Sequence, residues 1–213
     1  MNKRRKAGDT FLTYKTCDSW GGSFFKYINP THVRFFSFMK LAGFYMYTGE
    51  EEGKCYESWD SDTEKTVPIP FDVYHQGISC LHDFRDSVKA LLKRVPSKPL
   101  TLYQAGTHLA IVNMEENFFE VCQILRFQPE MRIGNPHQTW QLGNLCPDKG
   151  ELLVLQLHIY GGDIFEEVIY KSIASLEGDG KCYIISPQTY KKVYQLLDEF
   201  HLSLNKLFLP YVK

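Results

Sequence analysis

From Lys181 onward the sequence leaves few ways to fold. KCYIIS has the composition of a strand, and Ser186–Pro187 has the chemistry of a helix start. A serine side chain can accept from exposed backbone N–H groups, and proline is tolerated at the first helical position. Tyr190, Val193, Leu197, Phe200, Leu204 and Leu207 then recur at steps of three and four. That spacing predicts an amphipathic helix over about Pro187–Phe208, with one apolar face that has to be covered.

The preceding residues supply strands to cover it. ELLVLQLHIY (151–160) reads as a strand, Gly161–Gly162–Asp163 turns the chain, and FEEVIYKSIA (165–174) reads as a second strand, with helix as the competing reading. Gly178–Asp179–Gly180 is a further turn. Short connections between neighbouring strands favour an antiparallel meander. The first half echoes this order. RFFSFMK and GFYMYTG read as a hairpin around Leu41–Ala42–Gly43, and KCYESW and TVPIPFDVY as strands on either side of DSDTEK. Ser79 is a candidate cap for a helix with Leu81, Phe84, Val88, Leu91 and Leu92 on one face. Pro96 and Pro99 end that helix, and VPSKPL is the best linker. Between the halves, HLAIV (108–112) reads as a strand, ENFFEVCQILRF as a short helix, and the stretch around Pro129–Pro136 as loop. The fold class expected is α+β, mainly antiparallel sheet with packed amphipathic helices. The expected division is a basic tail at 1–10, a first unit at 11–95 and a second at 100–213.

Bulk properties narrow the class. Fifteen Phe, 13 Tyr and 3 Trp in 213 residues suit strands and a packed core and argue against disorder. The net charge of −1 argues against a broad nucleic-acid-binding surface. No apolar run reaches the roughly 18 residues of a membrane helix. MNKRRKAGDTF has no apolar segment behind its charges and does not read as a secretory signal. The six cysteines are far apart, with none at CxxC spacing, and read as reduced thiols. These features point to the cytosol, the nucleus or a particle assembled there.

GKCY occurs twice, at Gly53–Tyr56 and at Gly180–Tyr183. Both copies read as a turn running into a strand, with the lysine in water and the cysteine on the buried face. Such a reading needs no duplicated reactive cysteine.

TWQLGNLCPDKGELLVLQLH followed by DGKCYIISPQTYKKVYQLLDEFHLSL resembles a SUKH-type domain, and more particularly the herpesvirus US twenty-two family. The matching features are Trp140, Leu142–Gly143, the strand Leu152–Leu157, Gly180–Tyr183 and Leu196–Phe200, within residues 138–208. Residues 33–93 match less well and lack the Trp and Leu–Gly step. The resemblance implies strands packed on helices, in tandem units. It also implies a non-enzymatic binding module whose partner is a host or viral protein and whose viral members act against host defences or cell death. It carries no catalytic residue and no cofactor.

Other chemistries would rest on particular residues. LAGFYMYTGEEEGKCYESW with YHQGISC resembles an inhibitor-of-apoptosis repeat, whose zinc needs four ligands. Cys55, His75 and Cys80 are candidates, but Ser58 stands where a second cysteine belongs, and His82 would need another geometry. A cysteine-dependent enzyme would use Cys146 with His108, His137 or His158 as base, although no local motif supports it. GGDIFEE and SWGGSFF lack phosphate-loop spacing. Asp60, Asp62 and Glu64 lack the glycine and distal glutamate of a calcium loop. Lys3, Arg4, Arg5 and Lys6 form a basic cluster that suits nuclear import or anion contact. The apolar surplus at Leu202, Phe208, Leu209 and Tyr211 suits a partner or a homodimer.

Overall fold

Strand alternation and helical spacing resolve, among the described residues of a computed structural model, into eleven strands and two long helices. The structure describes residues 6–15, 33–35, 41–46, 64–94, 104–128, 131–132, 139–140, 150–172 and 181–211. The fold is α+β, with almost all strand pairing antiparallel. It comprises two compact units built from non-consecutive stretches. One holds Met1–Asp86, Gly161–Ile164 and Leu196–Lys213, and the other Ser87–Tyr160 and Phe165–Gln195. The expected linker at Pro96–Pro99 lies outside the described residues.

In the first unit, β1 (Thr10–Lys15) runs antiparallel between β3 (Leu41–Met46) and β4 (Glu64–Pro68). β2 (Val33–Phe35) pairs antiparallel with β3, and Asp163 and Ile164, at the start of β10 (Asp163–Ser172), pair with it in parallel. Leu41–Gly43, expected as the hairpin turn, is strand, paired with Tyr14, Thr13 and Arg34. Phe11, Leu12 and Tyr14 are all buried, so β1 is covered on both faces. Thr10 ties it off: its hydroxyl donates to the Ile69 carbonyl (2.7 Å), and the Ile69 N–H donates back to the Thr10 carbonyl (2.9 Å).

Helix α1 spans Phe71–Leu92 and starts eight residues before the expected cap. FDVY belongs to the helix, not to a strand, because the apolar spacing extends back from Leu81 to Tyr74, which is buried. The Tyr74 N–H donates to the Pro70 carbonyl (3.1 Å), and Asp72 lies in the positive first turn. Ser79 therefore caps nothing; its hydroxyl donates to the His75 carbonyl one turn back (3.2 Å). The second helix, α2, spans Pro187–Phe208 and continues into a short 3-10 turn, Leu209–Tyr211. Ser186 caps it as expected, accepting from the Thr189 N–H (3.1 Å). Within the first unit Phe84 stacks on Phe200 at 5.0 Å, and Phe44 meets Phe208 at 4.9 Å and the edge of Tyr74 at 5.8 Å. No helix among the described residues is long and apolar enough to cross a membrane.

The second unit is a sheet of β5 (His108–Asn113), β6 (Phe118–Gln128), β9 (Glu151–Tyr160), β10 and β11 (Lys181–Ile185), in the order β11-β5-β6-β9-β10. The expected helix at ENFFEVCQILRF is β6. Its continuous apolar run reflects burial on both faces, which helical and strand periodicity share. Asn113 makes the turn into it, accepting from the Glu115 and Glu116 N–H groups (both 3.2 Å), and Asn117 takes a positive φ of 52° that asparagine tolerates. The Pro129–Pro136 stretch includes β7 (Met131–Arg132), paired with β8 (Thr139–Trp140).

Gly77 in α1 has a positional reason. A Cβ there would stand 2.8 Å and 2.9 Å from the ring of Phe44 and 3.0 Å from that of Phe208, and both rings are fully buried. Alanine gains about 1 kcal/mol in helix propensity over glycine. Displacing packed rings costs about 1–3 kcal/mol. Gly77→Ala is therefore expected to be neutral to destabilising by about 2 kcal/mol, and Gly77→Val clearly destabilising, in equilibrium urea unfolding; a variant more stable than wild type would contradict the packing.

Candidate functional site

The central strands of the second unit's sheet bury residues on both faces, and this decides where their polar groups can go. On β6, Phe119 and Val121 point to one side, and Glu120, Cys122 and Ile124 to the other; all five are buried. The second side carries a core of Leu109, Ile111, Cys122, Ile124, Leu152 and Val154, with Ile169, Cys182 and Ile184 packed against it. Glu120 sits at the edge of this core, 3% exposed.

A carboxylate in such surroundings needs partners. Glu120 pairs across the ladder with His158 on β9, and its Oε1 lies 3.1 Å from His158 Nδ1. Its Oε2 accepts from the ammonium of Lys171, a buried residue near the end of β10. Burial by itself would raise the Glu120 carboxyl. The hydrogen bonds from His158 and Lys171, with their charges, outweigh it and hold the group below its usual range. Aromatic rings fix the imidazole: Phe165 stacks on it at 4.7 Å and Phe118 meets it edge-on at 5.4 Å. Cys122 follows two residues after Glu120, opposite Gln156, whose buried Oε1 has no hydrogen-bond partner among the described residues. Burial first, and the Glu120 charge second, push the Cys122 thiol far up from its ordinary value. A thiol so placed is inert, because the reactive form is the thiolate.

The opposite face of the same sheet is covered by the start of α2. Tyr190 packs on His108 at 4.3 Å, and the Tyr194 hydroxyl donates to Glu166 on β10 (2.6 Å). Burial lowers the His108 imidazole below its usual value. Glu166, Val168 and Tyr170 alternate outward along β10, while Leu153 and Leu155 on neighbouring β9 lie on the His108 side and are half-buried. Val168 is 57% exposed and Tyr170 40%. Four apolar side chains on two adjacent strands thus form a patch on a regular sheet face, of the kind that marks interaction surfaces.

The residues singled out from sequence fare differently. Lys3, Arg4 and Arg5 lie outside the described residues, and Lys6 is an exposed turn residue whose N–H donates to Asp9 (2.7 Å). Cys55, Ser58, His137 and Cys146 also lie outside them. His75 and Cys80 are both on α1, five residues apart, which turns them through about 140° and off a common face. Among the described residues, no three His, Cys, Asp or Glu side chains are grouped to hold a metal. His108 and His158 occupy opposite faces of one sheet, so they cannot serve a common nucleophile. In the second GKCY copy, Lys181 is exposed and Cys182 packs on the core, as expected; the first copy is outside the described residues. Of the apolar surplus at the C-terminus, Phe208 is fully buried, whereas Leu202 and Leu209 are 68% and 55% exposed. Glu120 and Lys171 were missed. The available signal was a charge set inside an otherwise apolar strand, as in FFEVC and VIYKS.

Compared with known protein families, with curated proteins and with solved structures, the chain has no match.

Removing Glu120 would leave the Lys171 ammonium buried without its carboxylate. Glu120→Gln is expected to lose about 3–5 kcal/mol in denaturant unfolding at pH 7. The group's folded value lies below its unfolded value, near 4.5. Its contribution is thus fully present above that pH and is lost as pH falls through the folded value. The wild type should lose stability on acidification below about pH 4.5, and the Glu120→Gln variant should lose less over the same range.

Proposed function

We propose that the chain is a non-enzymatic protein-interaction module that acts inside cells, of the viral kind its C-terminal block resembles. Its partner on this reading is a host or viral protein, and its role is to act against host defence or cell death. The observation that carries the docking part is the apolar patch of Val168, Tyr170, Leu153 and Leu155 on a sheet face held in place by Glu166 and Tyr194. The titratable groups nearby favour the same reading. Glu120 is paired with His158 and the buried Lys171, and the Cys122 thiol is suppressed by burial. The alternatives are a zinc-dependent inhibitor-of-apoptosis-like domain and a cysteine-dependent enzyme, whose Cys55 and Cys146 lie outside the described residues.

The test is affinity capture from cells with the full chain and with Val168→Asp, checked for native circular dichroism. A protein retained by the wild type should fall at least tenfold on Val168→Asp. Equal retention by the two would move the docking surface elsewhere, and hydrolytic or transfer activity abolished by His158→Ala in a folded chain would overturn the non-enzymatic reading.

A further inference from the structure

The second unit's sheet ends, among the described residues, at β11. An end strand leaves one row of backbone N–H and C=O groups open to pairing, and proteins blunt such edges with charges, proline or bulges. In the first unit the end strand β4, EKTVP, carries two charged residues and an exposed Pro68. β11, KCYII, has neither proline nor bulge, and its single charge, the exposed Lys181, stands at its very start. Cys182 and Ile184, which extend the core layer of Leu109 and Ile111, are half-buried, so the apolar layer runs up to the edge.

We infer that β11 is a self-pairing edge, and that its occupant is β11 of a second copy of this chain, antiparallel about a two-fold axis at Tyr183. The pattern is self-complementary. In that register Cys182 faces the partner copy's Ile184, on the core side, and Lys181 faces Ile185, so no like charges oppose each other. Shifting the axis to Cys182 brings Lys181 opposite Tyr183 and leaves Ile184 and Ile185 uncovered. The pairing is isologous and closes as a dimer. Five paired residues bury less than the roughly 1,000 Å² of a stable complex, so the dimer is reversible. This surface is distinct from the Val168–Tyr170 patch and does not depend on the docking reading.

Light scattering and sedimentation from about 1 to about 200 µM should show a monomer–dimer equilibrium that Tyr183→Lys weakens at least tenfold, by opposing two ammonium groups on the axis, while unfolding of the monomer stays cooperative. Under mild oxidation Tyr183→Cys should cross-link to its own copy well above the wild-type background, because directly opposed Cα atoms lie about 5 Å apart. Lys181→Cys should not, because the two copies of residue 181 would lie about 13 Å apart. A monomer throughout that range, a dimer indifferent to Tyr183→Lys, or equal cross-linking at 181 and 183 overturns the inference. A dimer instead broken by Leu202→Asp or Leu209→Asp places the contact at the C-terminal helix and overturns it too.

Discussion

The constraint behind the second unit is that its central strands are buried on both faces. β6 and β9 bury apolar side chains both above and below the sheet, so a charge set among them needs partners. Glu120 lies at the edge of this core and stays ionised because His158 on β9 and Lys171 on β10 reach it. Such a pair is seldom a net source of stability, since desolvation offsets most of the attraction. It does, however, penalise any register in which β6, β9 and β10 are misaligned, because a one-residue slip would strand a charge in the core.

That arrangement also bears on chemistry. A histidine hydrogen-bonded through Nδ1 to a carboxylate is a common way to orient a catalytic base. Here Phe165 stacks on the ring and Phe118 meets it edge-on, and the sulfur two residues along from the carboxylate is buried and held protonated. Among the described residues, Val168 and Tyr170 on the sheet and Leu202 and Leu209 at the end of α2 are exposed apolar side chains.

Much of the fold could be read from sequence where one face of an element is wet. α2 was legible to its first and last residues, because a serine cap, a proline and a regular stripe all agree. β9, β10 and β11 were legible from short apolar runs between glycine turns. β6 was not, because a run buried on both faces has no polar side to give the period away, and two glutamates ahead of it mimic a helix start. The early start of α1 was hidden by TVPIP, where proline and β-branched residues suggested a strand running on into FDVY. The Glu120 site was illegible for another reason: its partners lie 38 and 51 residues away, and no local spacing connects them. The apolar patch was equally hidden, since Val168 and Tyr170 look like ordinary core residues until the helix is seen to cover only part of their face.

The most direct test of this account is a double-mutant cycle on the buried pair, with Glu120→Met, Lys171→Met and the double variant unfolded in urea under one set of conditions. If the two charges are held in the core by each other, each single variant loses several kcal/mol, and the double loses less than the sum of the singles, because the second substitution no longer takes away the other's partner. Additive losses, with the double worse than both singles by their sum, would contradict it and place the two residues in separate roles.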